Sequence, residues 1–136
     1  MILLESSALI ESFRKKGRGD IRARVQAALL SSAAAICDPV LLEFYAGAAG
    51  RKELEMIADY EKNLPILPCD DKVWKLARDY ARLFRSKGKP FSNFDILIFA
   101  LTKRHNAGLI TMDRAFRRMQ ELVTADSKPG YDVMAR

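Results

Sequence analysis

An α/β fold is the class this sequence predicts: a central parallel sheet of about five short strands with helices on both faces, a three-layer α/β/α sandwich. Two observations predict it. Apolar runs at Ile2–Leu4 and at residues 34–37, 65–68, 109–111 and 122–124 are too short to be helices. They alternate with longer segments whose apolar residues recur at helical spacing, the arrangement that buries a parallel sheet. A chain of 136 residues bounds the count at one domain, residues 1–136, with about the last dozen residues a loose tail.

Each element has a local reason. Ser6 and Ser7 stand where a helix cap belongs, before the stripe Leu9, Ile10 and Phe13. Gly17 and Gly19 break that helix, and Asp20 is placed to cap the next, with Ile21, Val25, Leu29 and Leu30 facing inward. Asp38-Pro39 marks a helix start through Leu41, Leu42 and Tyr45 to about Gly47. A further helix is expected over Arg51–Asn63. Asp70 opens a long helix carrying Val73, Leu76, Ala77, Tyr80, Ala81 and Phe84, ended by Gly88. Ser92 caps a helix that is apolar nearly all round and so reads as buried. A short last helix is expected over residues 114–121. Phe13, Phe44, Tyr45, Tyr60, Trp74, Tyr80 and Phe84 lie on apolar stripes and read as core or interface side chains.

The bulk numbers exclude several classes. Glu5 interrupts the apolar start, so no secretory leader is expected, and no apolar run approaches the ~20 residues of a membrane span. Cys37 and Cys69 form no CxxC pair and read as reduced thiols of a cytoplasmic protein. One histidine, His105, makes a His-rich zinc site a poor expectation. Any metal would be hard and held by oxygen. The balance of 23 Lys and Arg against 17 Asp and Glu gives +6, which suits a polyanionic partner or simply solubility.

Ligands of parallel sheets bind outside the carboxyl ends of the strands, and acids gather there. Glu5 follows the first strand, and Asp113 lies just beyond the strand at 109–111. Glu43 is the one charge in an apolar helical segment after the second strand, and Asp95 is the one charge between Phe91 and Thr102. Acids set together repel unless cations neutralise them, and Mg²⁺ or Mn²⁺ does this with oxygen ligands. Taken singly, each acid also has a structural reading. Asp95 fits a capping box, Asp113 an N-cap, Glu43 a solvated helix face and Glu5 an ordinary strand-end carboxylate.

The residues then resemble a known family. Met1-Ile2-Leu3-Leu4-Glu5-Ser6-Ser7 looks like the start of PIN-domain nucleases, where an apolar strand runs into Asp-Thr/Ser-Ser. Leu109-Ile110-Thr111-Met112-Asp113-Arg114-Ala115-Phe116 resembles their Thr-x-Asp-x-x-Phe signature. The segments around Glu43 and Asp95 match the helices that bring the second and third acids. The small size resembles VapC-type toxins of toxin–antitoxin pairs. The resemblance implies a PIN-like fold and a Mg²⁺- or Mn²⁺-dependent endoribonuclease, a hydrolase of RNA phosphodiester bonds. It also implies a cognate antitoxin and a homodimer. Carried over, Glu5, Glu43, Asp95 and Asp113 are the catalytic metal ligands, and Ser7 and Thr111 are the hydroxyls beside the first and last acids.

Glu5 departs from the family pattern, which has Asp there. One extra methylene shifts the carboxylate by about 1 Å, and Mg²⁺ demands near-octahedral geometry. Retained activity is expected from this charge-preserving change. The alternative is a catalytically weakened module that binds RNA or protein. Of the basic residues, Arg14 to Arg24 read as a solvated face, whereas Lys89 and Arg114 flank acids and are expected to contact RNA phosphates.

Overall fold

The structure, a computed structural model, describes residues 1–126. The tail expected at the end lies outside them, apart from Ala125 and Asp126, which belong to the last helix. The class is α/β with a parallel sheet, as the sequence predicts. The described residues form two compact units: Met1–Pro68 with Gly108–Met112, and Cys69–Ala107 with the residues from Asp113 onward.

The first unit holds the sheet. Its strands are β1 (Ile2–Leu4), β2 (Ala34–Ala35) and β3 (Gly108–Ile110), in the order β2-β1-β3 and all parallel. Leu3 faces Ala35 on one side and Leu109 on the other, so β1 is the central strand. Its helices are α1 (Ser6–Phe13), α2 (Gly19–Leu30), α3 (Asp38–Gly47) and α4 (Arg51–Asn63). Helix α2 packs on β2 and β3, and α1 on α2 and α3. Leu3, Leu4, Leu9, Val25, Ile36, Phe44 and Ile57 are fully or almost fully buried. Phe13 meets Phe44 edge-on, with ring centroids 5.6 Å apart.

Among the described residues three strands form instead of about five, and two causes account for it. The segment expected as a strand at 65–68 makes one parallel bridge, Ile36 with Ile66. Pro65 carries no N–H to extend the ladder toward Ala34, and on the other side α3 begins at Asp38. Residues 122–124 are not a strand at all, because α7 (Ala115–Asp126) runs through them. Phe116, Met119 and Val123 are all buried, a spacing of one helical face that overrides the local strand preference of Leu-Val-Thr.

The second unit is helical: α5 (Asp71–Ser86), α6 (Asn93–Arg104) and α7. Asp70 caps α5 by accepting the Val73 N–H at 3.0 Å. That hydrogen bond, helped by nearby Arg104, holds the Asp70 carboxyl below the usual carboxylate range. The folded-state value is depressed, so the cap holds above the unfolded value and is lost as pH falls through the lowered one. Helix α6 is buried from Ile96 through Thr102, as its apolar surround predicts. Tyr80 packs on Phe99 with centroids 5.1 Å apart, and Phe84 meets both rings. Burial pushes the Tyr80 phenol well above its ordinary value. Of the aromatics read as core or interface, Trp74 and Tyr45 are outside the core, 49% and 41% exposed. Leu30, expected inward, is exposed, and Leu42 is exposed as well.

Candidate active site

At the carboxyl end of β1 the backbone turns directly into α1, and Glu5 is the hinge. Its N–H still donates to the Ile110 carbonyl at 3.1 Å, completing the pairing with β3. Its side chain already caps α1 by accepting the Ser7 N–H at 3.0 Å. Ser6 and Ser7, expected as the cap, instead occupy the first turn. A glutamate has the reach to fold back onto the helix that follows it, and the aligned N–H groups of a helix start favour a carboxylate there.

Glu5 is only 4% exposed, and its carboxylate is surrounded by donors. One oxygen, Oε2, accepts from the Ser7 N–H, the Ser7 hydroxyl and, at 2.8 Å, the Thr111 hydroxyl. The Ser7 oxygen in turn accepts the Met112 N–H at 2.9 Å, tying the chain after β3 to the start of α1. Ser7 and Thr111 thus both stand beside Glu5, whereas the sequence resemblance implies Thr111 beside the last acid.

The other oxygen, Oε1, accepts from the Ser6 hydroxyl at 3.0 Å. The same hydroxyl lies 3.3 Å from Oε1 of Glu43, which α3 brings in from a distant part of the chain. A hydroxyl has one proton, so Ser6 can serve only one of the two carboxylates at a time. Two carboxylates sharing one small donor leave negative charge that a cation would offset. Sequence reasoning missed Ser6 in this role, since a serine after a strand reads as a cap. The donor set here is carboxylate and hydroxyl oxygen, the chemistry that a hard divalent ion prefers.

Asp95 and Asp113 belong to the second unit. Asp95 lies in the first turn of α6, where its N–H donates to Ser92 Oγ at 3.1 Å. Asp113 accepts the Ala115 N–H through Oδ1 at 2.9 Å and so opens α7, while its residue remains exposed. Both acids therefore sit at helix starts, where the helix dipole favours a negative charge. Among the described residues, no three His, Cys, Asp or Glu side chains stand grouped as a ready-made ligand set.

Residues 2–122 match the family model of the PIN domain. The chain belongs to the PIN-domain family. This PIN domain is 33% identical over 121 residues to the VapC ribonuclease Mb1587 of Mycobacterium bovis, with 85% of this chain and 89% of that protein covered. Ribonuclease VapC11 of Mycobacterium tuberculosis matches to the same extent. Among solved structures, VapBC2 from Rickettsia felis, bound to a DNA fragment from its promoter, aligns with a TM-score of 0.71 at 19% identity, covering 87% of this chain and 92% of that one. FitAcB from Neisseria gonorrhoeae aligns with a TM-score of 0.68 at 17% identity, covering 88% and 92%.

The basic residues of the PIN domain divide by environment. Arg14 pairs with Glu11 and Arg18 with Asp20, at 3.4 and 2.6 Å, with both arginines on exposed surface. These local pairs fit the solvated face expected of the Arg14 to Arg24 cluster. Lys89 and Arg114 are exposed, Arg114 directly after Asp113. No described helix is long and apolar enough to cross a membrane.

Proposed function

We propose that the chain is a metal-dependent endoribonuclease, the toxin of a toxin–antitoxin pair, with Mg²⁺ or Mn²⁺ held by Glu5, Glu43, Asp95 and Asp113. The observation that carries this reading is the junction of Glu5, Ser6 and Glu43: two carboxylates from separate elements meet over one hydroxyl, in an all-oxygen setting at the end of the central strand. The relatives named as VapC ribonucleases support the activity. The named VapBC2 structure and the FitAB and VapBC complexes from other sources support an antitoxin as partner.

When bound, the ion supplies Lewis acidity toward a phosphate and lowers the pKa of a water. The chain's own residues do the rest. Ser7 and Thr111 fix Oε2 of Glu5, leaving Oε1 as the oxygen directed toward Glu43. Ser6 can turn its proton from one carboxylate to the other and present its lone pairs elsewhere. Lys89 and Arg114 meet backbone phosphates and offset the repulsion between RNA and the acids. Exposed Leu42, Tyr45 and Leu54 on α3 and α4 are apolar side chains available to an antitoxin or to a second copy in a homodimer. The reading places the protein in the cytoplasm.

The full chain should cleave a mixed RNA pool in Mn²⁺ or Mg²⁺, and a chelator should stop it. RNA that is bound but never cut would favour the weakened-module reading instead, for which the three-donor hold on Glu5 Oε2 is the supporting feature.

A further inference from the structure

Between the end of α5 and the start of α6, the second unit carries a cleft of about 610 Å³. This is within the size range of small-molecule sites. Its floor is apolar, with Phe84 and Ile96 buried beneath it. Its rim carries Arg85 and Lys89, and no carboxylate is among its described lining residues. Neither cation forms an ion pair with a described residue, whereas nearby Lys87 faces Asp126 at 3.9 Å.

Local sequence builds this arrangement. Gly88 takes φ +68°, the left-handed conformation that ends helices. Its N–H bonds to the Arg85 carbonyl at 3.0 Å, and the Lys89 N–H reaches back to the Phe84 carbonyl at 3.0 Å. The chain is thereby folded over the helix end, and Lys89 is brought to the same cleft as Arg85. Pro90, its φ fixed by the ring, leads on to Phe91 outside any helix or strand. The Phe91 ring is half-buried and meets Phe84 at 76°, with centroids 5.0 Å apart. An edge-to-face contact fixes the ring and leaves at least one face outside that contact.

We propose that this cleft is a subsite for one nucleotide of a single-stranded RNA substrate. Arg85 and Lys89 take its phosphate, and Phe91 takes the face of its base. The inference rests on the ribonuclease reading. The pairing of cations with an aromatic face is what separates this occupant from an acidic peptide, which would use the charges and not the ring. A base in a duplex is already stacked on its neighbours, so the platform selects an unpaired strand. The subsite adjoins the proposed chemistry through α6: Asn93 lines the cleft, and Asp95 follows in the same helical turn.

The test is fluorescence anisotropy of a labelled single-stranded RNA oligonucleotide with the full chain in Mg²⁺. An Asp113→Asn background suppresses cleavage, and the salt concentration is varied. The double change Arg85→Ala/Lys89→Ala should weaken binding about tenfold. It should also flatten the salt slope by about 0.7, the contribution of one phosphate contact to a single strand. Phe91→Leu should weaken binding about tenfold with the slope unchanged, and Phe91→Trp should restore it. The double variant alters exposed side chains only, so it remains a valid test if Phe91→Leu disturbs packing. Unchanged affinity and slope in the double variant would overturn the subsite. If wild-type chain still cleaved RNA, the ribonuclease reading would survive that result. Polyglutamate competing equally well, with no effect of Phe91→Leu, would overturn the nucleotide assignment in favour of an acidic peptide. A chain that neither bound nor cleaved RNA would overturn both readings.

Discussion

Asp95→Asn should reduce RNA cleavage by about 100-fold or more while leaving the fold intact. Residues that merely support a metal ligand already cost 10–100-fold when removed, and small misplacements of catalytic groups cost about as much. The structure explains why stability should be spared. The cap of α6 is made by Ser92 Oγ with the backbone N–H of residue 95, which asparagine retains. The negative charge lost from the first helical turn is itself worth about 0.3–1 kcal/mol. Were Asp95 only a capping residue, the melting temperature would shift slightly and cleavage would not. Steady-state cleavage beside a thermal melt separates the two outcomes.

Glu5→Ala should cost both activity and stability. The carboxylate is the common acceptor for Ser6, Ser7 and Thr111 in a site where Glu5 is 4% exposed. Removing it strands the Ser7 N–H at the start of α1 and leaves hydroxyls that must find new partners. Hydrogen bonds to charged groups contribute about 1.5–3 kcal/mol, and a stranded buried donor costs about 1–3 kcal/mol. A net loss of about 2–4 kcal/mol follows, or a melting temperature lower by roughly 10 °C for a domain of this size. Circular dichroism melts would check it. A loss below about 1 kcal/mol would show that the donors around Glu5 are readily satisfied by water.

The sequence made the central strand and the buried helix legible because each rests on local chemistry, and it singled out the four acids proposed as ligands by their apolar settings. Ile2–Leu4, Arg51–Asn63 and the Asp70 and Ser92 caps follow from apolar runs and capping residues, and the structure has them at those positions. Two of the failures share a physical theme: the deciding partner lay outside the segment being read. Residues 122–124 read as a strand because the run is β-prone, yet Phe116 and Met119, outside the run, make Val123 part of a helical face. Ser6 and Ser7 read as caps, yet the longer Glu5 side chain reaches the Ser7 N–H first. The meeting of Ser6 with Glu43 joins β1's end to α3, and no local pattern announces it. The departure from the family's aspartate was visible in the sequence. How glutamate is used here, folded back as a cap and held by Ser7 and Thr111, needed the structure.

The central claim is that Glu5 and its neighbouring acids hold a divalent ion. Calorimetric titration of Mn²⁺ into the wild-type chain tests it most directly, with Glu43→Gln and Glu5→Asp beside it. The account predicts saturable binding by the wild type, strong weakening in Glu43→Gln, and binding by Glu5→Asp of similar or greater strength. A wild-type chain that binds no Mn²⁺ while Glu5→Asp binds it well would contradict the claim, as would saturable binding unaffected by Glu43→Gln.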